Sequence, residues 1–423
     1  MLSNGQEVIL FIEKLLYGGS GLSHFGMMAC FIDDVIPGET VLASVDAIKN
    51  HYATASLQDI LEPSPFRTEP TCVHFKICGG CQWQHIDYTC QLHWKSLIVK
   101  ECIDRIGRIP DTSVLEALPS PSAFQYRSRT NLKVSASGSH EIGYYQRGTH
   151  HIIPITCCPL LTPALNQALA YCTSLRTKNT RLFTGVTEIQ LLLINSGNKV
   201  IITLLAESAV KSFLLYVPDK TPDDASNAAS AISNIEYTYR DNINGISFYR
   251  SPLTFYQVNR EQNVAMINIA LKYLSRPDNK RILDLYCGCG NFSLFLARAG
   301  AHVVGIDSNS TAITEARRNA DANRLQHCTY ICGDVEKEMK KFATADFHSV
   351  LINPPRRGCP RKTLDYINQI NPQIIVYVSC NPATLARDLT HFIDHGYQLE
   401  IVQPIDMFPQ TFHIETMVKL VKS

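Results

Sequence analysis

Two residues near the carboxyl end of the chain could do covalent chemistry together. Cys380 closes the apolar run IIVYVSC (374–380), and Glu415 follows thirty-five residues later in the apolar stretch HIETM. A thiolate is a strong nucleophile that can split one difficult step into two easier ones. A carboxylate in an apolar strand is costly to bury without a purpose, and one with a raised pKa makes a useful base. A strand-end cysteine on its own is more often a packing residue. What sets Cys380 apart is its position among four other strand ends.

Those ends belong to RILDLY (281–286), HVVGID (302–307), the run around TYICGD (329–334) and SVLIN (349–353). Together with 374–380 and the helix-length segments between them, they read as βα units of an open parallel sheet. Ligands of such sheets bind beyond the carboxyl ends of the strands. The first strand runs into CGCGN (287–291) and a short helix closed by Gly300. Gly288 and Gly290 are in place for a dinucleotide turn, but Ser293 stands where the third glycine would be. Asp307 is placed to accept from ribose hydroxyls and Asp334 from an adenine amino group. A nucleoside without a pyrophosphate suits these parts best, and S-adenosyl-L-methionine is the candidate.

The ordered motifs FYQVN (255–259), DLYCGCGNFSL, INPPRRG, VYVSCNPATLARDL and HIETM closely resemble the RNA uracil-5-methyltransferase family, and the resemblance covers nearly the whole chain. It implies an S-adenosyl-L-methionine-dependent enzyme that methylates carbon 5 of a uridine in RNA. Cys380 would add to carbon 6, and Glu415 would remove the carbon-5 proton. Gln257, Tyr286, Asp307 and Asp334 would contact the cofactor, with Asn291 in the cofactor turn and Asn353 at the fourth strand end. That strand departs from the family's Asp-Pro-Pro-Arg, reading Asn353-Pro354-Pro355-Arg356. Asn-Pro-Pro followed by an aromatic marks methyltransferases acting on amino nitrogens, but arginine follows here, and those enzymes need no cysteine. Cytosine-5 enzymes place their cysteine in other motifs.

Upstream, Cys72-x5-Cys78-Gly-Gly-Cys81 lies on a Gly-rich loop and reads as a metal motif. Zinc could add His85; an iron–sulfur cubane needs a fourth, distant thiolate. The resemblance assigns that role to Cys158, in CCPLL beside Cys157, and so implies a 4Fe-4S cluster. A closed cluster apart from a complete nucleoside pocket argues against radical chemistry on S-adenosylmethionine.

The expected organisation is α/β, with a Rossmann-like class I methyltransferase domain over 251–423. An OB-like β-barrel similar to the TRAM domain is expected over 1–62, a cluster loop over 63–90 and a central α+β domain over 91–250. Short β-like runs such as EVILFIEKL and ETVLASVDAI support the barrel. Its two lysines face eight carboxylates, a net of −6, so its surface as a whole cannot grip phosphates. Between 120 and 151, Arg127, Arg129, Lys133 and Arg147 interleave with Tyr126, Tyr144 and Tyr145, a pattern suited to RNA. The run RRGCPRK (356–362) adds four positive charges beside the fourth strand end, to hold substrate phosphates. DDASNAASA reads as a loop-like spacer.

The whole chain carries a formal charge of only +1, which excludes wholesale electrostatic wrapping of nucleic acid but not local patches. There is no run of eighteen apolar residues and no basic leader, so a cytoplasmic protein without membrane contact is expected. IQLLLINSGNKVIITLLA reads as a β-hairpin. Fifteen cysteines without an export signal suggest metal or catalytic use over disulfides. No obligate protein partner is evident. Within the resembling family, a TRAM domain with a cluster accompanies 23S rRNA substrates more than transfer RNA, so 23S rRNA is the expected partner.

Overall fold

Seven strands build the sheet that carries the expected chemistry. They are β1 (Arg281–Leu285), β2 (His302–Asp307), β3 (Cys328–Cys332), β4 (Ser349–Ile352), β5 (Ile374–Ser379), β6 (Tyr397–Ile405) and β7 (Glu415–Lys422). Their order is β3-β2-β1-β4-β5-β7-β6, with the first five parallel and β7 antiparallel to both neighbours. β4 and β5 are buried at every position, as strands covered on both faces must be. The structure, a computed structural model, describes residues 2–135, 141–194, 199–206, 209–216, 238–275, 277–342 and 344–423. The spacer DDASNAASA and the turn NSGN lie outside these residues.

The N-terminal strands, from Glu7–Phe11 to Tyr52–Glu62, form a six-stranded sheet wrapped around Val8, Leu10, Ile32, Val41 and Ala53. Its alternating pattern puts one apolar set inward, as in Glu7–Phe11. Leu15 and Ile36 leave that core and pack instead with Trp83 and Ile86 in the core under the catalytic sheet.

A second six-stranded sheet lies in the middle of the chain. The expected hairpin strands, Val186–Ile194 and Lys199–Ala206, pair antiparallel within it. Helix Pro163–Lys178 covers this sheet with Leu165, Ala168, Leu169 and Cys172. The segment expected as one central domain divides between cores. Helix Tyr88–Arg105 packs Ile98, Val99 and Ile103 with the catalytic sheet, and the hairpin Tyr239–Ile243/Ile246–Arg250 packs Ile243, Ile246 and Phe248 on its other face. Among the described residues, no helix is long and apolar enough to cross a membrane.

Candidate active site

The chain after β5 passes through Cys380 into helix Pro382–Ile393. Asn381 caps that helix, accepting from the Ala383 and Thr384 amides, and Pro382 supplies the first turn's fixed φ. Cys380 is therefore held between a buried strand and a capped helix start. Ser379, the last residue of β5, pairs with Thr416 on β7, so Cys380 and Glu415 each adjoin the same final rung. Both side chains line a cavity of about 1190 Å³ beyond the strand ends.

Burial pushes the Cys380 thiol up to about 11; the Glu415 carboxylate adds to this, while the Arg356 guanidinium pulls it back. Burial likewise raises the Glu415 carboxyl to about 8, again opposed by Arg356. One arginine thus favours the charged form of both groups. The sequence expectation placed Arg356 among phosphate ligands, but the turn after Pro355 brings it back against the thiol. His413, also in the wall, is lowered to about 4 by burial and then by Arg356, Lys95 and Arg127, so it stands neutral at physiological pH.

The other half of the cavity is built by the turn after β1. Tyr286 adopts φ 62, rare for a side chain of its size, and Gly288 and Gly290 follow at φ 55 and 91. A Cβ on Gly290 would come within 2.9 Å of the Tyr330 hydroxyl, so this position needs glycine twice over. Ser293, where a dinucleotide turn would have glycine, donates its hydroxyl to the buried Asp284 instead. Asp307 accepts from the Gly288 amide at 2.9 Å and the Asn309 amide at 2.8 Å, tying the ends of β1 and β2 together. Asp334 caps the next helix through the Lys337 amide.

Gln257, Tyr286, Asp307, Asp334 and Asn353 all line the cavity with Cys380 and Glu415. Asn291 does not: its amide exchanges two hydrogen bonds with Asn263, at 2.9 and 3.0 Å, and accepts a third from Tyr256. It holds the turn from behind. Arg129, read as an RNA contact, donates to the carbonyls of Pro252 and Thr254 and so supports the segment that leads to Phe255 and Gln257. Lys133 pairs with Glu188, and Arg147 with Asp34 at 3.3 Å. With the Arg127 guanidinium over the Tyr126 ring at 5.9 Å, all four basic residues in that stretch have internal partners.

The cysteine loop folds against the second sheet: the Gly79 amide donates to Tyr145 and the Arg147 amide to Ile77. Burial raises the Cys78 and Cys81 thiols, and Cys158, whose amide is held by Asn166, lies close enough to add to both; Cys72 neighbours Cys78 and Cys158. His85 goes elsewhere, its Nε2 at 3.3 Å from the Val35 carbonyl. Among the described residues no three such side chains close into a coordination shell. The four thiols share one neighbourhood without a carboxylate among them, a donor set suited to a soft metal cluster.

A parallel sheet with a nucleoside turn after β1, and acidic residues ending β2 and following β3, defines a class of S-adenosyl-L-methionine-dependent methyltransferases. Comparison with known proteins narrows the class. A family described as tRNA (Uracil-5-)-methyltransferase matches residues 232–423. An uncharacterised RNA methyltransferase of Halalkalibacterium halodurans is 33% identical, covering 99% of this chain and 97% of its own. Another, of Thermosynechococcus vestitus, is 30% identical over 99% of both chains. The crystal structure of Pyrococcus abyssi tRNA (uracil-54, C5)-methyltransferase with S-adenosyl-L-homocysteine superimposes with a TM-score of 0.72 over 97% of this chain and 99% of that one, at 23% identity. The chain belongs to the RNA uracil-5-methyltransferase family, and it is an S-adenosyl-L-methionine-dependent enzyme.

Proposed function

We propose that the protein methylates carbon 5 of a uridine in RNA through a covalent adduct on Cys380, with 23S rRNA as substrate. The observation that carries the mechanism is the placement of Cys380 and Glu415 beside the last rung of one ladder and in one cavity, with the Arg356 guanidinium acting on both. Carbon 5 of uracil is a weak nucleophile. Addition of the Cys380 sulfur to carbon 6 pushes the ring electrons onto oxygen 4 as an enolate. Those electrons return through carbon 5 to the methyl carbon, whose bond to the sulfonium breaks and leaves S-adenosyl-L-homocysteine. Glu415 then takes the carbon-5 proton, the C–H electrons re-form the 5,6 double bond, and the Cys380 sulfur departs with its bonding pair. A carboxylate near neutral pKa suits that last step.

Gln257, Tyr286, Asp307, Asp334 and Asn353 are assigned to the cofactor, with Asn291 in support. Cys72, Cys78, Cys81 and Cys158 are assigned to a 4Fe-4S cluster, whose soft, charged core would cross-link the loop to the second sheet. The choice of 23S rRNA rests on the association of a TRAM-like domain and cluster with that substrate. Transfer RNA is the second reading, favoured by the description of the matching family and by the Pyrococcus neighbour. Mass spectrometry of 23S and transfer RNA from cells lacking the protein tests both. Loss of one 5-methyluridine from 23S rRNA is expected. A loss confined to transfer RNA selects the second reading, and a methyl missing from an exocyclic nitrogen contradicts both and points to Asn353.

A further inference from the structure

The N-terminal domain reaches the nucleophile directly. The Tyr17 hydroxyl donates to the Cys380 carbonyl at 3.0 Å, a bond between residues 363 positions apart. That carbonyl lies beyond Ser379–Thr416, the last rung between β5 and β7. Tyr17 does not line the cavity itself; it reaches Cys380 through the backbone carbonyl, within range of the Arg356 and Glu415 charges that also act on the thiol.

The turn that presents Tyr17 is fixed at several points. Within it, the Leu16 amide donates to Ser20 and the Gly19 amide to Leu16. Gly19 has φ 102, and a Cβ there would press on Gln82 and Phe412 at 3.3 Å. The buried Trp83 indole donates to the Gly19 carbonyl at 3.1 Å. The Tyr17 ring meets Phe412 edge-on at 5.6 Å, three residues before Glu415. One turn of the N-terminal domain is thus wedged between the cysteine loop and the segment that carries the carboxylate. Burial raises the Tyr17 phenol to about 12, which keeps it a donor throughout the working pH range.

We infer that Tyr17 is a positioning residue for the reaction: its hydroxyl fixes the peptide unit of Cys380 and draws off the carbonyl's negative charge, so that the thiolate forms and points at carbon 6. The N-terminal domain is on this account part of the catalytic architecture as well as any RNA surface. The inference rests on Cys380 being the nucleophile. A hydrogen bond to the backbone acts on where the sulfur sits and how readily it ionises. It does not act on how tightly RNA or cofactor binds.

The test uses the full-length protein, S-adenosyl-L-methionine and substrate RNA carrying 5-fluorouridine. Fluorine at carbon 5 cannot leave as a proton, so the adduct accumulates and can be timed on a denaturing gel. Tyr17→Phe keeps the ring against Phe412 and removes only the hydroxyl. The expected result is adduct formation slowed about tenfold at saturating RNA, equivalent to about 1.4 kcal/mol. RNA affinity and melting temperature should match the parent protein, and the rise of rate with pH should move to higher pH. Tyr17→Ala, which also empties the contact with Phe412, should be slower still. An unchanged rate and pH profile for Tyr17→Phe, or a loss explained wholly by weaker RNA binding, overturns the inference. Cys380→Ala, run alongside, separates the two levels: an adduct in that variant removes the nucleophile assignment, whatever Tyr17→Phe does.

Discussion

Cys380 and Glu415 each adjoin the last rung between β5 and β7, the pair Ser379–Thr416, and both line one cavity. The relationship depends on β7 running antiparallel between β5 and β6, which returns the chain to the ligand end of the sheet just where Glu415 begins its strand. A parallel seventh strand entering from the opposite edge would have placed the start of HIETM far from the thiol.

Arg356 is set to hold down the pKa of both groups, so Arg356→Met should raise both. At neutral pH the methyl-transfer rate should fall by about tenfold or more, since each tenfold loss of thiolate corresponds to about 1.4 kcal/mol. Raising the pH should restore part of it. A variant with weaker RNA binding and an unaltered pH profile would mark Arg356 as a phosphate contact only.

Asp307 joins the turn after β1 to the end of β2 through two backbone amides. Losing these charge-assisted bonds in Asp307→Ala should weaken S-adenosyl-L-homocysteine binding about 10- to 100-fold. Calorimetric titration measures it. Asn291→Ala should act differently, lowering the melting temperature more than the affinity, because its amide is bonded to Asn263 behind the cavity.

Glu415 carries a stability signature. Its folded-state value near 8 lies above the ordinary 4.5, so its contribution to stability is fully present below about pH 4.5. That contribution is lost as pH rises through about 8, where a buried carboxylate must stay charged. Glu415→Gln does not titrate. The melting temperature of the variant relative to the parent protein should therefore climb from about pH 5 to about pH 8 and then level off. A difference independent of pH would contradict the raised value.

Cys158 should be the fourth thiolate of the cluster. Anaerobic purification should yield about four iron and four sulfide per chain, the content of one cubane. Cys158→Ser should lose most of the iron and the visible absorption, while Cys157→Ser should keep them. One zinc and no sulfide would reverse the assignment.

The convergence of five strand ends was legible because buried parallel strands read as unbroken apolar runs and their ends are marked by polar residues. The cavity-lining set from Gln257 to Glu415 followed from it, with the family resemblance supplying the roles. The closeness of Arg356 to the thiol had no local signal within the basic cluster, because only the path of the turn brings its guanidinium there. Helix Tyr88–Arg105 carries a lysine, Lys95, in the middle of its length. In the fold Lys95 is fully buried, paired with Asp406 at 2.6 Å, and the helix belongs to the catalytic core. Arg129, Lys133 and Arg147 looked free for RNA because their partners lie far along the chain. Tyr17 carried no local signal, since its bond to Cys380 depends on how two remote segments dock.

The covalent, two-residue mechanism is tested most directly by trapping. Glu415→Gln leaves thiol addition and methyl transfer intact and removes the base that frees the enzyme. Incubated with substrate RNA and S-adenosyl-L-methionine labelled in its methyl group, this variant should accumulate a protein–RNA band on a denaturing gel that survives heating and carries the label. Cys380→Ala and the double variant should give no band and no methylated product. A labelled band from Cys380→Ala, or full turnover by it, would contradict the account. So would an inactive Glu415→Gln that forms no adduct, which would place Glu415 in substrate positioning and leave proton removal to another group.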